Sequence, residues 1–195
     1  MKKFTILLLF AIAANSILPN TAMGQIVQVG AATTATSTGG SITINKPSGI
    51  AVGDIMIATI VESEATTGTD LGGSTGSGGW TPINDASIGG ANPEFWGYIF
   101  YKVAVAGDVS ATSYAFDLDG SASGASGAIV AFTGVDASNP FDVTPGTING
   151  IATDGILNAT AISTTTANAA VIMFGFIGNN LVAGTNVSIN NNWAT

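Results

Sequence analysis

Residues 94–104 read Glu94-Phe95-Trp96-Gly97-Tyr98-Ile99-Phe100-Tyr101-Lys102-Val103-Ala104. Aromatic and β-branched side chains dominate this run, and they fit a pleated surface better than a helix. Two-residue alternation puts Phe95, Ile99, Tyr101 and Val103 on one face and Trp96, Tyr98, Phe100 and Lys102 on the other. Heavy side chains on both faces call for cover on both sides. The run therefore predicts the middle strand of a sheet that packs on a second sheet.

The flanks show the same period of two. Ile42 and Ile44 alternate with Thr43 and Asn45 in residues 41–46. In residues 54–62, Ile55, Ile57 and Val61 face one way and Met56, Ala58 and Ile60 the other. Tyr114 and Phe116 alternate with Ser113, Ala115 and Asp117. Residues 125–133 are small and apolar on both faces, and 169–177 read as another strongly apolar strand. Shorter strands are expected at 25–30, 80–83 and 160–166. Turns fall at Pro47-Ser48-Gly49, Gly53-Asp54, Ala106-Gly107-Asp108 and 119–123. Residues 31–40, 63–79, 84–93 and 143–158 lack periodicity and read as loops.

Past residue 24, no segment carries the three-and-four spacing of an amphipathic helix. Many short strands between turns predict an all-β fold, an antiparallel β-sandwich of jelly-roll-like kind. A solenoid needs a fixed internal period, and the Thr-rich stretches have none. The sequence closes on Asn190-Asn191-Asn192-Trp193-Ala194-Thr195, a turn feeding a strand much as Gly78-Gly79-Trp80-Thr81 does. The expectation is a fragment truncated at its C-terminus, lacking its last strand or strands and any attachment module.

The start is of another kind. Met1-Lys2-Lys3 precedes an almost wholly apolar run, and Ala22-Met23-Gly24 places small residues before Gln25. That is the layout of a secretory signal peptide over residues 1–24. The apolar run falls well short of the ~20 residues that span a bilayer. The expectation is an exported chain that is not an integral membrane protein, with one domain over 25–195. The absence of Cys excludes a lipid anchor at the cut, and it leaves stability to burial and backbone hydrogen bonds.

Charge narrows the partners. The formal net charge is −8, and removal of the signal leaves only Lys46 and Lys102 against 12 acidic residues. Such a surface repels phosphate backbones, so nucleic acid is excluded as a partner. Without His or Cys, neither a Ser-His-Asp nor a Cys-His nucleophile can be built, and His/Cys zinc sites are absent. Carboxylate pairs for glycoside hydrolysis would come from Glu62 with Glu64, from Glu94, or from Asp117 with Asp119. Nothing in the sequence fixes two of them at the separation that chemistry needs.

Calcium suits the acids better, because it takes clustered oxygen ligands. Asp117 and Asp119 flank one residue before Gly120, and Asp136, Asn139 and Asp142 form a second cluster. Asp, Asn and Gly also make ordinary turns. Trp80, Trp96 and Tyr98 are the candidates for stacking on a sugar, against the alternative of burial in the strands. The sequons at Asn158 and Asn186 read as coincidence in a chain of bacterial composition.

Several pieces together resemble a β-sandwich module of bacterial secreted and cell-surface proteins and of phage tail appendages. They are residues 47–60, Gly79-Trp80-Thr81-Pro82-Ile83, Tyr101-Lys102-Val103-Ala104 with Gly107-Asp108, and Ala131-Phe132-Thr133-Gly134-Val135-Asp136 with Asn139-Pro140-Phe141-Asp142. A later apolar strand at 169–177 also falls where such modules place one. The resemblance runs from about residue 40 onward. It implies a jelly-roll-like sandwich with an adhesion or structural role and no shared active site. The function expected is thus a non-catalytic secreted or cell-surface module. The alternative is a carbohydrate-binding, lectin-like module, and the partner is a glycan or another surface protein.

Overall fold

The structure, a computed structural model, describes residues 25–64, 78–87, 95–118, 122–146, 159 and 161–176. The signal reading over 1–24, most of the long loop at 63–79 and residues 177–195 lie outside the described residues. In chain order the described elements are β1 (Val27–Gln28), β2 (Thr33–Ser37), β3 (Ser41–Asn45), β4 (Ile55–Glu64), β5 (Thr81–Ser87) and β6 (Phe95–Val103). Then come α1 (Ala106–Ser110), β7 (Ser113–Asp117) and β8 (Ala122–Thr133). The fold is all-β, in two antiparallel sheets. The larger runs β1-β8-β4-β6-β5, with β2 also on β8, and β3 pairs with β7 in the smaller. No helix among the described residues is long and apolar enough to cross a membrane.

The period of two holds where the sequence shows it. Met56, Ala58 and Ile60 of β4 join Tyr98 and Phe100 of β6 and Ile129 and Ala131 of β8 in the main core. Ile42, Ile44, Tyr114 and Phe116 of the smaller sheet belong to the same cluster, so the two sheets share one interior. Phe116 is 0 % exposed and touches Trp80 and Phe100, with ring centroids 5.4 and 5.9 Å away. A side chain buried this fully contributes up to ~3 kcal/mol relative to leaving it in water. Close approach of the sheets depends on Gly127 of β8. A Cβ there would stand 2.7 Å from Ile44 Cδ1 and 3.1 Å from the Thr59 carbonyl oxygen.

The opposite face of the larger sheet is apolar too. Ile55, Ile57, Val130 and Phe132 form a second cluster, with Ile99, Val103, Ile172 and Phe174 packed against it. A strand with both faces covered reads as continuous apolar sequence, as β4 and β8 do.

Several expectations need correction. β4 and β5 run on through Glu64 and Ser87 into stretches read as loops, and 161–166, read as a short strand, join no ladder among the described residues. The aromatic strand β6 is interior but not central; β4 holds the middle, paired with β6 on one side and β8 on the other. Residues 31–40 contain β2, a Thr-rich strand whose alternation is polar and which exists because β8 offers it an edge. Residues 106–110 close a helical turn where a plain turn was expected. Residues 169–176, read as a strong strand, alternate outward and inward only over 171–174, and no ladder joins them among the described residues.

Candidate functional site

Lys102 is the last inward-facing residue of β6, and it sits 9 % exposed at the rim of the core. An ammonium so placed needs acceptors, because desolvating an unpaired charge costs several kcal/mol. The chain returns one through α1. The strand ends at Val103, and the helical turn that starts after Val105 points Asp108 inward, 4 % exposed. Lys102 Nζ lies 2.6 Å from Asp108 Oδ1 and also donates to the Gly78 carbonyl oxygen. Tyr114 Oη donates to Asp108 Oδ1 at 2.9 Å, and the Val105 backbone N–H donates to Oδ2 at 2.8 Å.

Aromatic rings surround this cluster. The ammonium stands 5.4 Å from the Tyr114 ring centroid, within cation–π range. Trp80 meets the same ring edge-on at 5.3 Å and is 4 % exposed. Its indole N–H has no hydrogen-bond partner among the described residues. Gly78 and Gly79, at φ +96° and +85°, fold the chain over the lysine in a backbone form that other residues rarely adopt.

The electrostatics follow from those contacts. Burial alone pushes the Asp108 carboxyl up. The hydrogen bonds from Lys102, from the Val105 N–H and from Tyr114 outweigh it, with the lysine charge adding to them, and the group ends below its usual range. Burial and the adjacent Asp108 carboxylate push the Tyr114 phenol well above its ordinary value. Asp108 is therefore a carboxylate and Tyr114 a neutral donor across the neutral range. The arrangement is a closed ion pair that joins β6, α1, β7 and the glycine turn before β5.

Of the residues singled out from sequence, Trp80 packs on the Tyr114 ring beside this cluster. Trp80 and Tyr98 lie in the core, and neither turns a ring face to solvent. The Trp96 side chain is outside the described residues, as are Asp119 and the side chains of Glu64 and Glu94. Glu62 is 0 % exposed, with Tyr98 Oη donating to Oε1 at 3.3 Å. Asp117 is exposed at the end of β7, which precedes the start of β8, whereas Asp136, Asn139 and Asp142 follow the other end of β8. Asp136 Oδ1 accepts the Ser138 N–H at 2.9 Å, a turn bond.

Asp142 faces Thr165, accepting its backbone N–H and, at 2.9 Å, its hydroxyl. Among the described residues, no group of three or more His, Cys, Asp or Glu is brought together. The Lys102–Asp108 pair escaped the sequence reading. Its signal was there: one of two lysines past the signal region stands on the apolar face of a strand, six residues before an Asp. The chain matches no protein-family description, no curated protein and no solved structure.

Proposed function

We propose that this chain is an exported, non-catalytic β-sandwich module, jelly-roll-like in kind, with an adhesion or structural role at a cell surface. The observation that carries the reading is the closure of the buried ionic cluster. Lys102 and Asp108 are bonded to each other, to Tyr114 and to backbone groups, and they brace strand, helix and loop. A catalytic lysine or acid needs a free lone pair or proton facing a substrate, and this pair faces inward. The signal-like start and the acidic, uncharged-polar composition support export and a surface setting.

The lectin-like alternative draws on three aromatic residues. Two of them, Trp80 and Tyr98, are core residues, so the adhesion or structural reading stands first. The test couples two assays on the purified chain. One measures retention of chain-coated beads on glycan- and protein-coated surfaces. The other screens glycoside and ester hydrolysis. Saturable retention without turnover is expected. Turnover of any substrate, abolished by Glu62→Gln, overturns the non-catalytic reading.

A further inference from the structure

Gln25 is the first residue past the stretch read as a signal peptide, and Ala22 and Gly24 hold the small-residue positions before it. A cut between Gly24 and Gln25 turns an internal glutamine into an N-terminal one. The fold takes hold of the chain just after that point. Ile26 is partly buried against the cluster of Ile55, Ile57, Val130 and Phe132. Val27 pairs with Thr133 and Gln28 with Phe132, and the Val29 N–H donates to the Ala131 carbonyl at 2.8 Å. Gln25 itself is exposed and lies outside the ladder. Gln28 makes the contrast, because its side-chain amide donates to the Gly30 carbonyl at 3.0 Å.

An exposed glutamine with a free α-amine holds a nucleophile and an electrophile in one residue. Joining the α-nitrogen to Cδ closes a five-membered ring, and attack within one residue needs no encounter between separate molecules. Exposure leaves the side chain free to rotate into that geometry. The α-amine titrates at about pH 8, so a fraction of it is the free base at neutral pH.

We propose that Gln25 is a modification site, which cyclises to pyroglutamate once it becomes the N-terminus. The α-nitrogen lone pair attacks Cδ, and the bond from Cδ to the side-chain nitrogen breaks. That nitrogen leaves as ammonia, carrying the proton that the α-nitrogen gives up. No oxidant, reductant or second reactant enters. The proposal rests on the export reading, through the cut it places before Gln25. The ring removes the α-ammonium and leaves Lys46 and Lys102 as the only cations of the cut chain, with Lys102 already engaged by Asp108. It also removes the free amine at the point where stepwise trimming would reach Ile26 and then the short strand β1.

The test is mass spectrometry of the full chain exported from a bacterial host, on the intact protein and on its N-terminal peptide. Samples are read on collection and after incubation at neutral pH, beside the variant Gln25→Ala. The parent chain is expected to start at residue 25, to be lighter than its sequence by one ammonia, and to lose its terminal reaction with an amine-directed label. Gln25→Ala keeps its full mass and its terminal label. A parent chain that starts at Gln25 and stays open and labelled after incubation overturns the cyclisation alone. Ammonia lost equally from Gln25→Ala places the loss at another amide and overturns it too. A chain that starts elsewhere, or keeps residues 1–24, overturns the cut and the proposal with it.

Discussion

An ammonium at the rim of a core loses most of its water, and Asp108, the Gly78 carbonyl and the Tyr114 ring surround the Lys102 ammonium in its place. Removing one member strands the other. Lys102→Met leaves the Asp108 carboxylate buried without its cation, and breaking such a pair costs about 3 kcal/mol. Urea denaturation at neutral pH measures that loss. The double variant Lys102→Met, Asp108→Asn removes both charges and regains part of the stability, because no buried charge is then unpaired. A double variant no more stable than Lys102→Met would show that the charges are not coupled. Tyr114→Phe keeps the ring contacts with Trp80 and removes only the hydroxyl that donates to Asp108. A hydrogen bond to a charged group makes that cost roughly 1.5–3 kcal/mol, read from the same denaturation series.

At the scale of elements, the closest meeting of the two sheets is at β8. Gly127→Ala sets a methyl group 2.7 Å from Ile44 Cδ1 and 3.1 Å from a backbone oxygen of β4. The isoleucine tip can swing away, but the Thr59 carbonyl is held in the ladder with β8 and β6. Overpacking of this kind costs roughly 1–3 kcal/mol, and a drop in melting temperature with an unchanged β spectrum is the expected result. The strands that pack on this point were legible beforehand. Ile42 with Ile44, Met56 with Ala58 and Ile60, and Tyr114 with Phe116 announced their faces by period alone. What stayed hidden was structure made by partners. β2 is a run of Thr, Ala and Ser with no apolar stripe, and its ladder with β8 creates it. Side chains tie it to β3 as well: the Thr33 and Ser37 hydroxyls donate to the Asn45 and Ser41 carbonyls. The far edge strand β5 carries Pro82 and a register shift beside it, features that blunt an open edge.

Across the whole molecule, the acids were legible as turn residues but not as anchors, because composition does not say which carboxylate faces inward. Asp108 looked like a turn residue, yet three donors hold its carboxylate. Asp142 stood as a candidate calcium ligand, and hydrogen bonds from Thr166 and Thr165 draw it below its usual range. Both depressions have one consequence for pH. The folded chain holds these two groups ionised at pH values where the unfolded chain has begun to protonate them. Their contribution is complete above the unfolded carboxylate value of about 3.9 and is lost as pH falls through the lower folded values. Tyr114 works in the opposite direction. Its folded value is raised, so its contribution is complete below about pH 10 and is lost as pH climbs beyond it, where the unfolded phenol ionises first. Stability measured by urea titration should therefore hold level from about pH 5 to about pH 9 and fall on both sides. Tyr114→Phe should flatten the alkaline limb, since no buried phenol then resists ionisation. Asp142→Ala should remove part of the acid limb and quicken amide exchange at Thr165 and Thr166, whose N–H groups its carboxylate accepts. An acid limb identical in the parent chain and in Asp142→Ala would mean that the hydrogen bonds from Thr165 and Thr166 to Asp142 add nothing to stability.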